Sequence, residues 1–272
     1  MEEESNKNQL SVVKNNYLAK VSNTLSITNK LLNEIDNREP SDDFRVAIPD
    51  VNFQKYLSKE LGIDVSEGTV AYGDLKEVTE IKCENCNIYS LKGIEYFVNL
   101  IELWCSRNQI LNLDVSKNKE LRILVCFENQ LTNLDITNNS VLTKLACGNN
   151  QLSDLDISNN MDLTLFVCSK NQLTNLDLKN NINLNELNCD KNQLIDLDVS
   201  KNTYLTWLDC SKNKLTHIDI SKNNKLNKFY CSDNRLTFLD VTKNTALTWL
   251  KCSCNLKLKL PQGFNIDYIE YS

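Results

Sequence analysis

Four residue types in this chain could carry chemistry: cysteine, aspartate, asparagine and a single histidine. Eleven cysteines occur in 272 residues. Eight of them, Cys105, Cys126, Cys147, Cys168, Cys189, Cys210, Cys231 and Cys252, recur every 21 residues. Cys83-x-x-Cys86 and Cys252-x-Cys254 look like two halves of a zinc site. With one strand per repeat, the two halves stand on the order of 38 Å apart at ~4.8 Å per strand, so they cannot meet in one molecule. No metal is expected. Parallel neighbours at ~4.8 Å are near enough for disulfides on distance alone. Side chains in register point the same way, however, and a disulfide needs a specific dihedral. Reduced, buried thiols acting as small hydrophobes are expected instead, in a reducing compartment.

The only histidine is His217, and no Ser-His-Asp or Cys-His set assembles around it. Acid–base catalysis needs a group poised near neutral pH. No catalytic residue and no cofactor are expected, and the chain is read as a non-enzyme. Asp114, Asp135, Asp156, Asp177, Asp198, Asp219 and Asp240 form a second periodic set. A ladder of like charge invites a calcium reading, but the Gly-Asp nonapeptide of calcium-binding β-helices is absent. Asp accepts N–H groups two residues on, so turn closure before Ser116 or Thr137 is the expected role. Asn108, Asn129, Asn150, Asn171, Asn192, Asn213, Asn234 and Asn255 share one position as well, and an amide there can satisfy backbone groups at the turn and in the next coil.

The cysteine and asparagine columns sit in one frame, L-x-x-L-x-C-x-x-N-x-L, spelled out by LIELWCSRNQI (100–110) and LTKLACGNNQL (142–152). A fixed period in the twenties means a solenoid of stacked coils. VTEIKCENCNI (78–88) opens the series, with Cys86 in place of Asn and a first interval of 22 residues. Nine frames follow one another, predicting nine coils. Each regular repeat has a second half, L-D-[ILV]-x-x-N, so each coil holds two short strand-like pieces. Leu103/Cys105 and Leu113/Val115 should point inward, and residues between them outward, because strand side chains alternate.

The flanks read differently. Residues 1–9 are polar. From Leu10, an apolar stripe through Val13, Tyr17, Val21, Leu25, Leu32 and Ile35 predicts a helix within 1–39. It either packs on its own solenoid or meets another chain, a second copy or a partner helix. Residues 40–77 are expected to form a helical cap over the first coil, with Pro49 at a first helical position. Val51, Phe53, Tyr56, Leu57 and Leu61 make its apolar face, and a second short helix covers 72–77. Repeats occupy 78–255. In 256–272, NLKLKLP places Lys257 and Lys259 opposite Leu256, Leu258 and Leu260, and GFNIDYIEY should fold over the open end as a C-terminal cap.

The frame resembles the highly conserved segment of leucine-rich repeats, with cysteine replacing one leucine. The length and the second half look like the bacterial class with nested halves. IPDVNFQKYL (48–57) resembles the N-terminal cap of bacterial surface leucine-rich repeat proteins. The likeness spans roughly 44–272. It implies an α/β-type leucine-rich repeat solenoid with little helix, a right-handed superhelix, and a parallel β-sheet on the concave face. Short second strands or turns would lie on the convex side, and ligands would be protein or carbohydrate.

Outward positions on the main strands are the candidate site. They include Trp104, Ile123, Val125, Phe127, Lys144, Leu165, Val167, Trp207, Tyr230 and Trp249, with Arg107 at the rim, and they hold all three tryptophans. Large apolar side chains on a face meant for water mark a contact surface. The expected role is a non-catalytic protein-binding module; a secreted or surface adhesin for host protein or glycan is the alternative. The net charge of −6 is spread along the chain and leaves no footprint for nucleic acid. No basic segment leads into an apolar core at the start, and no run of 18 apolar residues exists, so neither a secretory signal nor a membrane span is expected. A cytoplasmic location follows, with the secreted or cell-surface one as its alternative.

Overall fold

In the computed structural model, residues 39–254, 256–260 and 268–271 are described. The chain divides into two units, Met1–Ser41 and Asp42–Ser272, and all the elements below lie in the second. The stripe expected over Leu10–Ile35 and the column position Asn255 lie outside the described residues.

Strand β1 (Arg45–Ala47) pairs antiparallel with β2 (Thr69–Ala71). Between them runs helix α1 (Val51–Glu60), and α2 (Tyr72–Lys76) follows, close to the expected 72–77. Asp50, not Pro49, sets the start of α1. Its Oδ1 accepts the N–H groups of Asn52 and Phe53 at 2.9 and 3.0 Å, the N-cap role Asp favours. Pro49 therefore precedes the cap. Val51 falls at the first helical position and is exposed, while Phe53, Tyr56 and Leu57 are buried. The other oxygen of Asp50 accepts from Tyr89 and Ser90 at 2.7 and 3.1 Å, so one carboxylate caps the helix and ties it to the first coil.

The main strands are β3 (Glu80–Lys82), β4 (Glu102–Trp104), β5 (Ile123–Val125), β6 (Lys144–Ala146), β7 (Leu165–Val167), β8 (Glu186–Asn188), β9 (Trp207–Asp209) and β10 (Lys228–Tyr230). After β11 (Phe238–Asp240) come β12 (Trp249–Cys252), β13 (Lys257–Lys259) and β14 (Tyr268–Tyr271). β3–β10, β12 and β14 form one ten-stranded parallel sheet in chain order. The nine frames each supply a strand, and β14 adds a tenth. Its register, Trp249↔Tyr268 through Cys252↔Tyr271, continues the sheet where a fold-over had been expected. Lys257 and Lys259 likewise do not guard the main edge, because β13 pairs with β11 in a separate two-stranded sheet. Leu256 is buried but Leu260 is exposed. The second half of the other coils forms turns, not strands.

Leu103, Leu124, Leu145, Phe166, Leu187, Leu208, Phe229 and Leu250 form one stacked row of the core, with the cysteines beside them. Nine cysteines, Cys83 and the eight periodic ones, are buried; Cys86 is half-buried and Cys254 exposed, and all eleven are free thiols. Burial pushes the Cys147 thiol up to about 12. A group that is hard to ionise reacts slowly, because the thiolate is the nucleophile.

Two amide columns stitch the coils. In the first, Asn150 Oδ1 accepts Leu131 N–H at 3.0 Å, and its Nδ2 donates to Cys126 and Cys147 carbonyls at 3.1 and 3.0 Å. The second column is Asn118, Asn139, Asn160, Asn181, Asn202, Asn223 and Asn244, each fully buried. There Nδ2 donates to two carbonyls of the preceding coil, as Asn160 does to Ile136 and Asn139 at 3.1 and 2.8 Å. Every Oδ1 of this second column is buried with no hydrogen-bond partner. The aspartate column closes turns as expected: Asp114 Oδ1 accepts Ser116 N–H at 3.0 Å and Asp156 accepts Ser158 N–H at 2.8 Å.

Candidate binding face

The parallel register aligns the outward side chains into rows. One row reads Trp104, Val125, Ala146, Val167, Asn188, Asp209, Tyr230, Lys251. A second reads Glu102, Ile123, Lys144, Leu165, Glu186, Trp207, Lys228, Trp249. Neighbours within a row sit ~4.8 Å apart.

Over β4–β7 the face is apolar. Trp104, Ile123, Phe127, Leu165 and Val167 are half-buried, and Lys144 is exposed. Val125 departs from expectation: it is only 7% exposed, yet it does not belong to the core. It lies between Trp104 and Ala146 in register. Trp104 is held by its indole N–H, which donates to Glu102 Oε2 at 3.0 Å. The Arg107 guanidinium lies 5.4 Å from the Phe127 ring centre and pairs with Glu128 at 3.3 Å. Gly148 separates the two apolar clusters. A Cβ there would come within 2.9 Å of Ser169 Oγ and 3.0 Å of its carbonyl oxygen, so the gap admits no larger residue without a shift.

Over β8–β12 the face is polar and aromatic. Trp207 and Tyr230 meet edge-on with ring centres 6.5 Å apart. Asp209 stands in register between Asn188 and Tyr230 and accepts Ser211 N–H at 2.9 Å. Burial raises its carboxyl above the ordinary range. The Asp190 N–H is capped by Asn188 Oδ1 at 3.0 Å. Lys251, beside Trp249, pairs with Glu270 at 2.5 Å. Sequence reasoning placed the aromatic residues of this half in the site. It left out Asp190 and Asp209, although both fall at outward positions of the same frame.

On the other side of the coil, His217 lines a shallow cavity of about 340 Å³ with Asp219, Ser221, Asp240 and Lys259. Asp240 is taken up by Lys259 at 2.8 Å and by Thr242. Among the described residues, no group of three or more His, Cys, Asp or Glu is placed to hold a metal ion. Among them, too, no helix is long and apolar enough to cross a membrane.

A stacked parallel sheet, a 21-residue frame and buried columns of cysteine and asparagine define a leucine-rich repeat solenoid with a ladder of buried cysteines. Solved structures agree. The functional domain of InlJ from Listeria monocytogenes, described as including a cysteine ladder, is 31% identical with a TM-score of 0.52. The match covers 81% of this chain and 62% of that one, so this chain spans about three fifths of the InlJ domain. Two further internalins from Listeria monocytogenes share the fold. InlF is 22% identical over 79% of this chain and 78% of its own, with a TM-score of 0.61. InlC2 is 18% identical over 83% and 94%, with a TM-score of 0.60. No protein-family model matches the chain, and no curated protein does.

Proposed function

We propose that this chain is a non-catalytic protein-binding module whose contact surface is the outer face of the ten-stranded sheet. The supporting observation is the apolar stretch over β4–β7. Trp104, Ile123, Phe127, Leu165 and Val167 lie outside the core yet stand together on a surface open to water. Contiguous apolar surface of this kind serves contact. An aromatic anchor desolvated by a partner often contributes ~2 kcal/mol or more. In this reading residues 1–39 act as a tether or meet a second copy, and the free thiols favour a reducing compartment. The second reading, an adhesin at the cell surface, draws on the resemblance of 48–57 to the caps of bacterial surface proteins.

The test begins with affinity capture from the native cell and mass spectrometry, which supplies a partner. Trp104→Ala and Phe127→Ala should each weaken that partner about tenfold, ~1.4 kcal/mol, while the melting temperature moves little. Asp114→Ala or Asp135→Ala, on the turn column, should cost stability and spare affinity. A partner footprint on the aspartate column, with normal binding by the two aromatic variants, would assign the surface to the wrong side of the coil.

A further inference from the structure

The strands of the sheet differ in how their carboxylates are answered. Glu80 pairs with Lys82, Glu270 with Lys251, and Glu102 receives the Trp104 indole N–H. By contrast, Glu186 on β8, Asp190 just beyond it and Asp209 on β9 have no cation within 4 Å among the described residues. The register explains why. Trp207 stands between Glu186 and Lys228, and Tyr230 stands between Asp209 and Lys251, which Glu270 already occupies. Lys191 and Lys212 border this stretch beyond the strand ends, and neither reaches the three carboxylates; Lys212 faces Asp233 at 4.0 Å. Aromatic rings thus stand in register between these carboxylates and Lys228 and Lys251, and Lys251 acts on Asp209 only at a distance.

The geometry of the site is prepared in advance. The Asp209 carboxylate is fixed by the Ser211 N–H, the backbone at Asp190 by its own N–H donating to Asn188 Oδ1, and the two rings by each other. Carboxylates beside an aromatic face suit a planar cation, which hydrogen-bonds to the oxygens and stacks on the ring. Resting on the reading that this face is the binding surface, we infer that the protein partner presents a basic side chain, arginine by preference, to Asp190, Asp209 and the Trp207–Tyr230 pair. The same partner covers the Phe127 end with apolar side chains. The two contacts lie four strand spacings apart, ~19 Å, which an extended segment crosses in about six residues. Complementarity of charge selects this occupant over an acidic or neutral one. Burial of Asp209 agrees, since a cation relieves the cost of keeping that carboxylate ionised.

The probe is a displayed library of random dodecapeptides, selected on the full chain and on two double variants. Asp190→Asn/Asp209→Asn keeps the acceptor that Ser211 uses. Trp104→Ala/Phe127→Ala removes the apolar end. Peptides selected on the native chain should carry arginine or lysine about six residues from a large apolar residue. The basic preference should vanish on the Asn pair, and the apolar one on the Ala pair. A synthesised winner should bind Asp209→Asn about tenfold more weakly, with most of its salt dependence lost. Asp209→Lys should switch selection toward acidic peptides. Peptides that need Trp104 and Phe127 but show no basic preference overturn this inference and leave the proposed function standing. Peptides indifferent to both pairs, or no enrichment on any of the three proteins, overturn both.

Discussion

The two asparagine columns look alike in sequence but should differ sharply in what they contribute, and Asn150 and Asn160 make the comparison. Asn150→Ala removes the sole acceptor of the buried Leu131 N–H. The carbonyls it served stay occupied: Cys126 by Asn129, Cys147 by Asn171, and Gly148 by the Glu128 N–H. The loss is therefore one orphaned buried donor and two or three donated bonds, about 2–4 kcal/mol in all. Asn160→Ala also forfeits two donated bonds, to Ile136 and Asn139. Those carbonyls keep the N–H groups of Asn139 and Leu142, no donor is stranded, and a buried oxygen that had no partner is gone. That change should cost only about 1–2 kcal/mol. Both substitutions leave a cavity of the same size, so the cavity cancels in the difference. Urea unfolding of the two variants and the parent, with equal denaturant slopes, measures it. If Asn160→Ala proves as costly as Asn150→Ala, the second column has a partner for its oxygen and the reasoning from unsatisfied groups fails.

Three further outcomes are expected. A thiol reagent should react promptly with about two groups in the native protein, Cys254 first and Cys86 second, and with eleven after unfolding; several native disulfides would contradict this. Acid should destabilise the fold below about pH 4. The Asp114 carboxyl is held below 3.8 by the Ser116 hydroxyl and N–H, and Asp135 by those of Thr137, so stability present above that value drains away as protons bind. A thermal series from pH 6 to pH 2 reads the loss, and an Asp135→Asn variant should show a shallower one. Lys170 and Lys191 adopt left-handed backbone at φ 53° and 51°. Lys170→Gly should raise stability by ~1 kcal/mol where most substitutions lower it, and a lower melting temperature would refute the strain.

Much of this was written in the spacing. A 21-residue period fixes stacking, and alternation then assigns Leu103 and Cys105 to the core and Trp104 to the face. The aspartates were legible because an Asp–x–Ser turn is local. What escaped needed contacts between coils. Val125 points outward by alternation yet is 7% exposed, with register neighbours 21 positions away on either side, which no alternation rule contains. β14 lacks the leucine and cysteine frame and is a strand only because β12 offers an edge. β1 and β2 are three residues each, too short for a period to register. The carboxylates Glu186, Asp190 and Asp209 were visible as letters, but which lysines can reach them is a property of the neighbours.

The amide columns also decide how the protein would yield to force. Each described first-column Asn ties its own coil to the one before, as Asn150 does with Cys126 and Leu131. Tension applied at one end therefore loads a single seam at a time. Once a seam parts, its 21 residues run free, roughly 70 Å of chain at ~3.4 Å per residue, before the next takes the load. A thread unravelling in equal lengths, with a peak of resistance at each row of asparagine, is the mechanical counterpart of the repeat.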